Sequence, residues 1–137
     1  MEHIHLSVIH KRAVWAALLV VEKRIDELSQ LLNHIPNQNI YCVENDLSAE
    51  QLDTAKTALA NAKIFIAELA EKYQLRKDTT QLSHVTQTTQ YQIWEALSDT
   101  ITKLKRSYGD FTEDEHPEEL KADLNKLIGI TEKITSA

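Results

Sequence analysis

The stretch Leu47–Tyr73 reads LSAEQLDTAKTALANAKIFIAELAEKY, and its spacing predicts an amphipathic helix over about 49–75. Ser48 stands at the N-cap with Gln51 three residues on, the pattern of a capping box, in which each side chain satisfies a backbone N–H of the other. Leu47 and Leu52 flank it at the two positions of a hydrophobic staple. From there Leu52, Ala55, Leu59, Ala62, Ile66, Leu69 and Tyr73 recur in alternating steps of three and four, one stripe turned to a partner helix. Its alanines let a neighbouring backbone come close. Asp53, Lys56, Lys63, Glu71 and Lys72 make up a solvated outer face.

The same period runs through the rest of the chain. Upstream, Val14, Leu18, Val21, Ile25, Leu28, Leu32 and Ile35 predict a helix over about 4–33, ended by Pro36, which disfavours helix in the residue before it. The connecting loop carries Ile40, Tyr41 and Val43, too apolar for a free linker, and is expected to fold back over the end of the helices. Downstream, Ile93, Leu97, Thr100, Ile101, Leu104 and Tyr108 predict a helix over about 83–108, with Asp78, Thr80, Ser83 and Thr86 as candidate caps and Gly109 as the left-handed stop. The last helix, over about 117–135, opens with His116 as cap and Pro117 at the first turn, where the missing N–H costs nothing. Glu118 and Glu119 suit the positive end of its dipole, and Leu120, Leu124, Leu127, Thr131 and Ile134 form its stripe. Gly129 weakens it by about 1 kcal/mol relative to Ala. Long helices with short connections pack as antiparallel neighbours, so the expected fold is all-α, a single domain over 1–137 built as an up-down-up-down four-helix bundle.

Composition agrees. A chain of 137 residues with 42% hydrophobic and 26% charged residues is of globular type, and 2 Gly and 2 Pro are too few for a sheet with many turns. The net charge of −6 repels a phosphate backbone, and Lys103, Lys105 and Arg106 do not form a common basic face, so no nucleic-acid partner is expected. The longest apolar run, Ala13–Val21, falls short of the roughly 20 residues of a membrane span, and no signal-peptide cleavage pattern follows it. The lone Cys42, expected to be part-buried in its loop, suits a reducing compartment and a cytoplasmic location.

Reaction chemistry finds little support. Glu-x-x-His, a di-iron ligand pair when it sits mid-helix, occurs at Glu113–His116 in a linker. His3 and His5 point to different sides of a helix, and no nucleophile elbow or glycine-rich loop is present. No enzyme, metal or cofactor is expected.

Two anomalies remain. Extended backward, the stripe of the first helix meets His10, Ser7 and His3, and that of the third meets Gln90 and Thr86. The second and fourth helices bring Tyr73 and Thr131 to the same end of an up-down-up-down bundle. Buried polar groups must find partners, so this polar end is expected to be bonded internally, wet, or filled by a ligand. The first helix is also apolar nearly all round. Ile4, Val8, Trp15 and Leu19 form a second stripe, ending at Glu22 and Asp26, and Leu6, Ile9, Ala13 and Val20 cover a third side. An excess of that kind marks a contact surface. The functional expectation is a non-enzymatic interaction or regulatory module (adaptor, regulator or immunity-type protein) that pairs as a homodimer and binds a further protein. The alternative is a sensor of a small ligand or metal that uses the polar end.

Overall fold

The protein is described by a computed structural model covering residues 3–106 and 109–135, Lys105 and Arg106 by their backbone alone. Four α-helices follow in order, α1 (Val8–Asn33), α2 (Ala49–Lys72), α3 (Leu82–Arg106) and α4 (Pro117–Glu132), and a 3-10 turn at Lys133–Thr135 completes the series. There is no strand among the described residues, so the chain is all-α. It divides into two compact units, Met1–Lys77 with α1 and α2, and Asp78–Ala137 with α3, α4 and the 3-10 turn.

In the first unit α2 starts as its sequence dictates. The Gln51 N–H donates to Ser48 Oγ at 3.1 Å and the Ser48 N–H donates to Gln51 Oε1 at 2.9 Å, closing the capping box. Every residue of the expected stripe from Leu52 to Tyr73 is half-buried, and the helix packs on α1. The Ile4 N–H donates to the Lys72 carbonyl at 2.8 Å, and Asp26 pairs with Lys63 farther along, so α1 and α2 run in opposite directions.

The end of α2 departs from its expected form. The helix stops at Lys72, and Gln74 takes a φ of 53°. The Gln74 N–H donates to the Glu71 carbonyl and the Leu75 N–H to that of Ala70, the paired bonds of a Schellman motif. Glycine usually holds that position because a side chain there costs about 1 kcal/mol.

Helix α1 begins at Val8, four residues later than its hydrophobic period suggests. Ser7 is extended and accepts the His10 N–H on its hydroxyl at 3.2 Å, so it caps the helix, and the residues before it run beside the end of α2. Ile25, 7% exposed, is the most buried side chain of this unit. Val14, Leu18 and Leu32 accompany it, whereas Val21 and Leu28, expected in the same stripe, are exposed. The physical reason is competition between stripes: α2 takes the side that includes Trp15, Leu19, Glu22 and Asp26, which turns Val21 and Leu28 outward.

The loop from 34 to 48 folds back in part. Val43 to Leu47 line the ends of α1 and α2, but Ile40 is 95% exposed and Cys42, expected to be part-buried, is exposed. The Gln38 amide donates to the Tyr41 hydroxyl at 3.0 Å, which holds the outer part of the loop together away from the helices.

In the second unit α3 starts at Leu82, and the His84 and Val85 N–H groups both donate to the Gln81 carbonyl. The N-cap position is therefore Gln81, and none of Asp78, Thr80, Ser83 or Thr86 occupies it. The half-buried stripe runs Thr86, Gln90, Ile93, Leu97, Ile101, Leu104. Thr100 is exposed, its hydroxyl donating to the Ala96 carbonyl at 2.9 Å, and Thr88 and Thr102 do the same to His84 and Ser98. These bonds let a Thr-rich segment stay helical. Tyr108 lies outside the described residues. Gly109 has a φ of 88°, the left-handed conformation expected of it.

Helix α4 opens at Pro117, with the His116 carbonyl accepting the Leu120 N–H at 3.0 Å; the imidazole makes no capping bond. Its contact face is rotated from the expected one. Lys121, Leu124, Ile128 and Thr131 are half-buried or buried, with Ile128 at 9%, while Leu120, Leu127 and Ile134 are exposed. Two apolar stripes lie side by side on this helix, and spacing alone does not decide which meets α3. The 3-10 turn packs on α3 and α4.

Candidate functional site

The residues expected at the polar end fall into both units. In the first, His3 and Ser7 precede α1 and so are not on a helical stripe. His3 Nδ1 lies 3.1 Å from the Gln74 amide nitrogen, and His10 Nδ1 lies 2.8 Å from Ser7 Oγ; the proton on each bond depends on the imidazole tautomer. All four side chains are exposed. Tyr73 is half-buried with the Lys72 ammonium 5.6 Å from its ring centre. In the second unit Thr86 donates to the Ser83 carbonyl and Thr131 to the Ile128 carbonyl, while Gln90 is half-buried on the α3 stripe. The bonded polar groups thus find partners within a few residues or across one helix end.

The apolar residues proposed for contact separate into two pairs. Ile4 and Val8 are exposed, Val8 at 65%. Trp15 and Leu19 are half-buried, and the Trp15 indole N–H donates to the Arg76 carbonyl at 2.8 Å, which ties α1 to the segment that follows α2. Nothing in the local sequence signals that bond, which joins residues far apart in the chain. What remains open on α1 is the side facing away from α2: Ile9 at 77% exposure, Ala13, Ala17, Val20 and Val21.

A feature that the stripes do not reveal is a cavity of about 250 Å³ where α1 ends and α2 begins. Leu28, Leu31, Ile35, Val43, Leu47 and Leu52 form most of its wall, and Glu44, Asn45 and Asp46 border it. The hint in the sequence is the doubled Leu31-Leu32, which puts an apolar side chain off the stripe, together with apolar residues in a loop.

Three surface groups, Lys63, Asp114 and Glu115, have their acidity shifted by hydrogen bonds. Lys63 is raised above its ordinary range, first by its hydrogen bond to Asp26 at 2.6 Å and then by that carboxylate's charge. Asp114 is lowered chiefly by the Thr112 hydroxyl, and Glu115 chiefly by the Thr112 backbone N–H, 2.7 Å from its Oε1. The single hydroxyl proton of Thr112 lies within reach of both carboxylates and serves one at a time.

Among the described residues no three His, Cys, Asp or Glu side chains are grouped to hold a metal ion, and no helix is long and apolar enough to cross a membrane. Compared with known protein families, with curated proteins and with solved structures, the chain matches none.

Proposed function

We propose that this protein is a helical interaction module of the adaptor or regulator kind, acting through its surface without catalysis, and that it pairs with a second copy through α1. The observation that carries the reading is the open apolar side of α1, where Ile9, Ala13, Val20 and Val21 stand at helical spacing on the side away from α2. Soluble chains rarely leave such a stripe uncovered. Symmetric pairing uses one patch twice, so a single exposed helix face suffices for both partners. Ala13 and Ala17 permit close approach of the two helices. Trp15 and Leu19 belong to the hairpin in this reading, and the contact shifts to the neighbouring side of the same helix.

The two roles separate by mutation. Ile9→Glu and Val20→Glu should give folded monomers, because each charge is hydrated once the copies part. Trp15→Glu should instead destabilise the chain by roughly 3 kcal/mol, as expected when a packed aromatic is lost. Multi-angle light scattering at micromolar concentration checks the first outcome and thermal unfolding the second. Wild-type protein that is monomeric under those conditions ends the dimer reading.

A further inference from the structure

We infer that the cavity at the turn between α1 and α2 is a binding site for a small amphipathic amine, a molecule with an aliphatic body and a cationic head. The cavity lies wholly within the first unit, at the end opposite the His3–Gln74 contact, and does not depend on the dimer reading. Its wall is aliphatic, from Leu28 and Leu31 on α1, Leu52 on α2, and Ile35, Val43 and Leu47 of the loop. A space of about 250 Å³ with such a lining gives water few partners, so an apolar group gains by displacing what water enters.

The border decides the head group. Glu44 and Asp46 stand on it, both exposed, and neither is ion-paired among the described residues. The Asn45 side-chain amide oxygen already accepts the Leu47 N–H at 3.1 Å, which helps hold the loop that carries the two carboxylates. No Lys, Arg or His lines the cavity. A cationic head therefore meets two unpaired negative charges, and an anionic head meets repulsion from both. This complementarity selects an alkylammonium over a fatty acid of equal length. Because both carboxylates are solvated, the preference is modest, about fivefold over the neutral alcohol. Chain length supplies the rest: each methylene that enters the cavity should raise affinity about fourfold until the space is full.

The test is titration of the full chain, isotopically labelled, with n-octylammonium, n-octanol and n-octanoate, followed by amide chemical shifts below micelle-forming concentrations. The expected result is saturable shifts clustered at Leu28, Ile35, Val43 to Leu47 and Leu52, with affinity in the order ammonium, alcohol, carboxylate. The Glu44→Gln/Asp46→Asn variant changes only exposed groups and should keep the fold; it should collapse that order while leaving alcohol binding intact. Shortening the amine from octyl to butyl should weaken binding steeply. Shifts that fail to saturate, that spread evenly over the helices, or that follow octanoate as well as octylammonium would overturn the assignment. So would unchanged head-group preference in the double variant.

Discussion

Helices α2 and α4 are both amphipathic segments with an acidic first turn, yet only α2 packs on the whole of the stripe that its spacing advertises. In α2 the stripe from Leu52 to Tyr73 packs as its spacing predicts, every member half-buried, while Ile64 and Phe65 lie off it and are exposed. In α4 the expected stripe keeps only Leu124 and Thr131 on the contact face; Lys121 and Ile128 join them there, and Leu120, Leu127 and Ile134 are exposed. The difference teaches that periodicity fixes the existence of a helix, while its rotation about the axis is fixed only when one face is clearly more apolar than its neighbours.

The largest effect that tests this contrast is the pair Ile128→Ala and Leu127→Ala. The first should cost about 2–3 kcal/mol by opening a hole against α3, and the second under about 1 kcal/mol, in chemical denaturation. A larger cost for Leu127→Ala would mean that the stripe read from spacing is the one that packs. Next, Gly129→Ala should stabilise the chain by about 1 kcal/mol, since a Cβ at that position meets no atom within 4 Å and gains helix propensity. A loss on substitution would place an unseen neighbour there. At the start of α2, Ser48→Ala should cost about 1 kcal/mol through the lost capping box, whereas His116→Ala, which removes no capping bond, should leave stability unchanged in the same assay. At the end of α2, Gln74→Gly should stabilise the chain by about 0.5 kcal/mol, read as a slightly higher melting temperature, as relief of the positive φ outweighs an exposed bond to His3. A fall would make that bond the stronger partner.

The smallest expected effect is in the turn before α4. Asp114 and Glu115 titrate below their ordinary range when folded, so each contributes stability that is present above that range and is lost as pH falls through the lowered values. Thr112→Val removes the hydroxyl and should weaken this acid sensitivity, read from unfolding curves between neutral and acidic pH. It leaves the Thr112 N–H to Glu115, so part of the dependence should survive.

How much of this was legible in sequence follows from the same comparison. Ser48 and Gln51 announce their cap because both partners lie within one turn. Most of the α3 stripe, from its polar start at Thr86 and Gln90 through Ile93, Leu97, Ile101 and Leu104, was legible because one face carries the period; Thr100, expected on it, is exposed. Helix α1 was legible as a helix and not as an orientation, because apolar residues surround its first half. Its start was misplaced because Ile4 and Leu6 prolong the apolar pattern beyond Ser7, and only the backbone bond from Ile4 to Lys72 reveals that this segment is extended. The Schellman turn hides because Gln74 stands where glycine is the usual signal. The Trp15–Arg76 bond and the cavity arise from pairing of segments distant in the chain, which no local pattern encodes. The candidate polar residues could be named, but their partners, Gln74 for His3 and Ser7 for His10, depended on where the helices begin and end.

The tie between Trp15 and Arg76 also gives the molecule a built-in reporter. The chain has 2 tryptophans, and they fall one to each unit: Trp15 half-buried with its indole N–H satisfied by a carbonyl, and Trp94 more exposed beside Tyr91, ring centres 5.8 Å apart. Their emission should differ in colour, Trp94 appearing as the more solvated fluorophore. Replacing either one by Phe leaves a single light source in a known unit. Unfolding watched through each variant in turn then reads the cooperativity of the chain directly: coincident transitions describe one melting body, and separated ones describe two that melt in sequence.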